Sequence, residues 1–178
     1  MTVRRDPIQT VLESLTSDRL RRIVCHWDDV RGERLMPAWE DIDPAAIPHE
    51  LPILWAWKYF RDTDSFRGRF AGEEINAIFG KSLRGADMKE FFADWEYERV
   101  FQKRRRVVTE PCISVGTGHV FLHAGRYGIG ERVILPLARD GVVGDGVLGA
   151  TTYDLSKPLD SSLQSVPVEE VSYFPLQP

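Results

Sequence analysis

The chain has 178 residues, 43% of them hydrophobic, and a formal net charge of −4. That length supports one domain with a core that needs neither metal nor disulfides, and the acidic balance argues against a general nucleic-acid binder, which carries a basic surplus. No apolar run approaches the ~20 residues of a membrane span, the stretch from Met1 to Pro7 lacks the apolar segment of a secretory signal, and Cys25 and Cys112 lie too far apart for metal-ligand spacing. The expectation is a cytoplasmic protein with reduced thiols, no metal, and no nucleic-acid or membrane partner.

The first predicted element is a helix. Ser17 or Asp18 caps it, Leu20, Ile23, Val24 and Trp27 follow the i, i+3, i+4, i+7 spacing of an apolar face, and Gly32 ends it. Such a helix docks on its own domain or on a second copy, and the pattern leaves both open. Its four apolar residues are therefore the candidates for a homodimer interface. Residues 1–34 read as an N-terminal helical extension, 35–154 as the main domain and 155–178 as a C-terminal tail. Between Met36 and Pro52, prolines at 37, 44, 48 and 52 forbid long regular structure, and Asp43-Pro44 starts a single helical turn.

A strand follows from Ile53 to Phe60, rich in aromatics, and a turn at Arg61 to Ser65 joins it to an antiparallel neighbour. In that second strand Phe66, Gly68 and Phe70 alternate with Arg67 and Arg69, the period of a sheet with one buried face. Gly72 ends the strand. A short helix carries Glu73 and Glu74 in its first turn, where the dipole favours carboxylates, and Ile75, Ile78 and Phe79 on one face before Gly80 stops it. A strand that hands over to a short helix packed across the same sheet forms a cup, and cups hold small molecules. A short turn near Met88, Phe91 and Phe92 comes next. A longer helix runs from Asp94 to about Arg106, with Tyr97, Val100 and Phe101 on one face. Three strands close the domain, roughly 111–122, 127–139 and 142–153. Residues 166–174 can add an edge strand or dock on a partner.

Four sharper patterns are set aside on physical grounds. Gly144-Asp145-Gly146-Val147-Leu148-Gly149 has the spacing of a dinucleotide loop, but it runs into β-prone residues where that loop must open a helix. His119 and His123 form a zinc pair only on a helix; on a strand they stand about 13 Å apart and cannot share one ion. Lys103 to Arg106 reads as a solvated cap at a helix end. Cys25 and His26 are adjacent on a helix and point apart, so they make no nucleophile–base pair.

The order of elements resembles the PAS fold, a five-stranded antiparallel sheet with helices over one face, here an α+β domain with an added N-terminal amphipathic helix. Leu35-Met36-Pro37, Asp41 to Pro48, Leu51-Pro52, Phe66 to Gly72, Phe79 to Gly85 and Arg132 to Gly141 carry a closer resemblance to a bacterial stand-alone PAS subgroup described mainly from alphaproteobacteria. Glu73 stands where that resemblance leads one to expect a small hydroxyl residue. The resemblance implies small-molecule sensing or signal input passed to a separate protein, not catalysis. It transfers no cofactor; a small organic ligand fits the cup, and the sequence supports neither haem nor flavin, Asn76 to Ser82 containing no cysteine. From the residue pattern, the pocket candidates are Trp55, Trp57, Ile78, Phe79, Met88, Phe91, Tyr97, Phe101, His119, Phe121 and His123, any of which can equally be plain core. A ligand-free docking or dimerisation module is the second reading. A small enzyme using His119, His123 or Arg126 in the cup comes last, because no acid–base or nucleophile pair accompanies them.

Overall fold

The computed structural model describes residues 6–123, 126–158 and 169–176; the side chains of 121–127 and 155–158 lie outside that description. Chain order is α1 (Pro7–Ser14), α2 (Asp18–Arg31), three single turns through the proline belt, β1 (Leu54–Phe60), β2 (Ser65–Ala71), α3 (Glu73–Phe79), a turn at Met88–Glu90, α4 (Asp94–Thr109), β3 (Cys112–His123), β4 (Arg126–Leu137), β5 (Gly146–Pro158) and β6 (Glu169–Pro175). The strands form one antiparallel sheet in the order β2-β1-β5-β4-β3-β6.

The local signals act where the sequence places them. Ser17 accepts from the Leu20 amide at the start of α2, and Gly32 closes that helix at φ 56°. Asp43 caps the Pro44–Ala46 turn through the Ala45 amide, and Gly80 ends α3 in the left-handed region. The dinucleotide-like glycine run leads into β5 and opens no helix. Helix α4 begins at Asp94, as the sequence places it, with Ala93 at the cap position, and it runs on to Thr109, three residues beyond Arg106.

The PAS-like α+β class holds, with two differences. The sheet has six strands, because β6 pairs with β3 along its whole length. The helices lie on both faces. On one, α3, α4 and the 88–90 turn cover Trp55, Trp57, Tyr59, Phe66, Ile134 and Val147. On the other, α1 and α2 bring Ile8, Val11, Leu15, Leu20, Ile23, Val24 and Trp27 onto Leu54, Ala56, Val115, Val133, Leu135 and Leu148. Helix α1 has no counterpart among the elements expected from the sequence; Pro7 at its first position and Asp6, which accepts from the Ile8 amide, start it.

This second layer corrects the assignment of α2. Leu20, Ile23, Val24 and Trp27 are all fully buried within their own chain. The Trp27 indole also donates to the Pro136 carbonyl at 2.9 Å. Each such side chain contributes about 1.5–3 kcal/mol by leaving water, so the face offered for a dimer is already occupied by the sheet of the same molecule.

The alternation in β2 breaks as well. A bulge at Ala56/Trp57 shifts the register, so that Trp57 faces Gly68 while Ala56 faces Phe70. Phe66 therefore packs in the α3–α4 layer, and Phe70 turns to the opposite face beside Trp39. A bulge puts one extra residue on one strand and re-aims the side chains beyond it.

Candidate functional site

The space between the sheet and α3–α4 is filled mainly by aromatic rings. Trp57 meets Phe91 edge-on at 5.8 Å, and Phe79 meets Phe91 and Phe92 edge-on at 5.5 and 5.6 Å. Phe101 packs against Phe66 at 5.7 Å and stacks with Tyr97 at 5.6 Å. Among the described residues a cavity of about 10 Å³ stays open there, lined by Trp55, Trp57, Ile75, Phe79, Leu83, Phe92, Arg104 and Arg132. That is room for about one water-sized body.

Two of the lining residues are arginines, and both are buried: Arg104 is 3% exposed and Arg132 6%. The Arg104 guanidinium lies 4.5 Å from the centre of the Trp55 ring and 5.5 Å from that of Phe92. One of its nitrogens donates to the Val100 carbonyl at 3.0 Å, while its buried Nε has no hydrogen-bond partner. Arg132 reaches the Thr151 hydroxyl, the Val120 carbonyl and, at 3.0 Å, the Glu169 carboxylate. Lys103 meets the same carboxylate oxygen at 2.5 Å. The Trp55 indole donates to the Thr151 hydroxyl at 2.9 Å. Its ring sits where Gly149 has no side chain: a Cβ there would fall 2.1 Å from the ring.

The electrostatics are lopsided. Glu169 pairs directly with Lys103 and Arg132, while on Arg104 it and Glu96 act only through space. Burial opposes ionisation of Glu169, yet Arg132 and Lys103 outweigh it and hold the carboxyl below its ordinary value. Burial pushes Lys103 down, with Glu169 partly countering. Burial, reinforced by Arg132, brings Arg104 down to about 9, still cationic at neutral pH. A buried donor without an acceptor costs about 1–3 kcal/mol, more when it is charged. Among the described residues no carboxylate forms an ion pair with the buried Arg104 guanidinium, and its unpartnered Nε makes this corner of the cup a place that favours an anion.

Of the pocket candidates, Trp55, Trp57 and Phe79 line the cavity. Ile78, Met88 and Phe101 are buried in the surrounding core, and Phe91 and Tyr97 pack half-buried at its rim. His119 is half-buried on β3 and is not part of the lining. The side chains of Phe121, His123 and Arg126 lie outside the described residues. The residues that sequence reasoning missed are Arg104 and Arg132. Arg104 lies within the basic run at the end of α4, and the reading of that run as a solvated cap fails for it. Lys103, Arg104 and Arg105 occupy successive helix positions about 100° apart, so one of the three turns inward. The inward one is Arg104, level with Val100, Val107 and Val108. Among the described residues there is no group of three or more His, Cys, Asp and Glu placed to hold a metal.

The opposite face of the sheet carries a larger, open groove of about 590 Å³ at the β1–β2 edge. Trp39, Lys58, Phe60, Arg67, Arg69, Phe70, Ser82 and Arg84 line it.

A family model of the PAS domain matches residues 15–152. The chain belongs to the PAS domain family. No curated protein and no solved structure matches it. As a PAS domain it is a sensory or interaction module by family, and the matched span runs from the start of α2 into β5, so the α2 layer lies within the match. No described helix is long and apolar enough to cross a membrane.

Proposed function

We propose that this PAS domain is a signal-input module that binds a small anion in the cup between the sheet and α3–α4, and passes its state to a separate protein. The observation that carries the reading is Arg104, a buried guanidinium with an orphan Nε against a cavity it shares with Arg132. An anion there supplies the acceptor that Arg104 Nε lacks and a counter-charge for its guanidinium. The cavity limits the first occupant to a halide, or to an inorganic anion or carboxylate near formate in size. A larger organic acid fits only if half-buried Phe79 and Phe92 swing outward. Those two rings sit on α3 and on the segment leading to α4, so their movement would be how occupancy reaches the surface.

Thermal melts at constant ionic strength test this. Small anions such as chloride, nitrate and formate should raise Tm above the value in a bulky anion such as gluconate. A ligand at a hundred times its Kd adds about 2.7 kcal/mol, which for a chain of this size is several degrees. Identical melts in every salt would leave the cup as filled core and favour the docking reading, which the open groove on the other face supports.

A further inference from the structure

The β1–β2 groove is lined by four cations in a chain whose net charge is −4. Lys58 on β1 and Arg67 on β2 are direct cross-strand partners, both exposed on the same face. Like charges placed opposite each other in an antiparallel pair are destabilising, and what Lys58 has beside it is the Phe60 ring, 5.0 Å from its ammonium, not a carboxylate. Arg69 shares this face by the alternation of the strand, its guanidinium 5.3 Å from the centre of the Trp39 ring, and the bulge brings Phe70 to the same side. Arg84 comes in from the loop that crosses the strand edge. Several other surface arginines are matched (Arg19 with Glu74, Arg22 with Glu50, Arg31 with Asp28, Arg34 with Asp41 and Arg105 with Asp64), whereas Arg61, Arg99 and Arg139 are single cations set apart from this cluster. Among the described residues no carboxylate pairs with Lys58, Arg67, Arg69 or Arg84. Asp87, which bridges Arg67 through the backbone, turns its carboxylate to the Lys89 amide.

Helix α2 covers β4 and β5 on this same face and α1 covers β3 and β6, and the two leave the β1–β2 end bare. The strand edge itself is closed: the Gly68 amide donates to the Ala86 carbonyl and its own carbonyl accepts from Gly85. Gly68 allows this because any Cβ there would fall 1.9 Å from the Leu83 carbonyl oxygen. A partner therefore cannot add a strand at Gly68 and must lie across the face. Arg67 and Arg69, two residues apart, stand about 7 Å from each other along the strand, the spacing of alternate side chains in an extended chain. Phe60, Phe70 and Trp39 supply apolar surface between the charges.

We propose that this groove docks an extended acidic segment of a partner protein, with Lys58, Arg67, Arg69 and Arg84 facing alternate carboxylates. The site is separate from the cup, and either can fail without the other.

The test is fluorescence polarisation with a labelled peptide of alternating Glu and Thr, the full chain, and rising salt. The proposal expects saturable binding that weakens with salt. The double variant Lys58→Glu/Arg67→Glu should weaken it on the order of tenfold or more, and Arg84→Glu, on a different segment, should weaken it too. Charge reversal at Arg99, on α4 across the sheet, should leave it unchanged. Circular dichroism checks the fold of each variant, and Arg84→Glu carries the test if the double variant unfolds. No binding, an equal loss in Arg99→Glu, or tighter binding of tripolyphosphate or duplex DNA than of the peptide overturns the proposal.

Discussion

The buried Arg104 guanidinium lies against the rings of Trp55 and Phe92 and has one backbone acceptor, while its Nε is unpartnered; replacing buried ionic groups by well-packed apolar ones of similar volume is often neutral or stabilising by about 1–4 kcal/mol. Arg104→Met should therefore raise Tm by about 2–4 °C, equivalent to about 1 kcal/mol, while removing the difference between small and bulky anions. Thermal melts of both proteins in the two kinds of salt read the two effects together. A residue kept only for structure would give the opposite: a lower Tm and an unchanged response to anions. The sequence concealed this residue because its neighbours are charged as well. In a run of basic residues at a helix end, identity says nothing about which one turns inward; only the phase of the helix against Val100, Val107 and Val108 decides it.

At the scale of elements, β6 is tied in by its ladder to β3, by Tyr173 and Phe174 packed on the two faces, and by a buried ionic contact. Glu169 bridges Lys103 of α4 and Arg132 of β4. Removing one partner of a buried pair leaves the others uncompensated and costs about 3–5 kcal/mol, so Glu169→Gln should lower stability near pH 7 by about 3 kcal/mol in denaturant titrations. The pH dependence has a definite sign. The folded carboxyl sits below its ordinary value. Its contribution is therefore complete above the unfolded pKa of ~4.3 and is lost as pH falls through the lower folded one. The gap between wild type and Glu169→Gln should thus close on acidification; a gap that persists at low pH would mean the glutamate acts through packing and not through charge. Other elements were readable from their punctuation: Ser17 and Gly32 bound α2, Asp43-Pro44 starts its turn, and Gly80 stops α3. The β2 alternation misled because a bulge is a property of the pair. Nothing in Phe66 to Phe70 alone records the extra residue opposite Ala56 and Trp57.

For the whole molecule, the sheet works with two faces. The α3–α4 face encloses the charged cup, and the other face is covered by α1 and α2 except at the basic β1–β2 end. The order of strands and helices carried the PAS fold in the sequence, and the aromatic positions Trp55, Trp57 and Phe79 carried the floor and wall of the cavity. Which partner an amphipathic helix chooses was not legible. Leu20, Ile23, Val24 and Trp27 have the same spacing whether they meet a second copy or their own sheet, and tertiary packing settled it in favour of the sheet. The central claim is that the cup takes an anion where the cavity would otherwise hold a water. Anomalous diffraction from crystals grown in bromide tests it most directly. The account predicts a bromide peak within hydrogen-bond reach of Arg104 Nε, between Trp55 and Arg132, that vanishes in Arg104→Met. Bromide confined to the surface, with the cavity dry or holding only water, would contradict it.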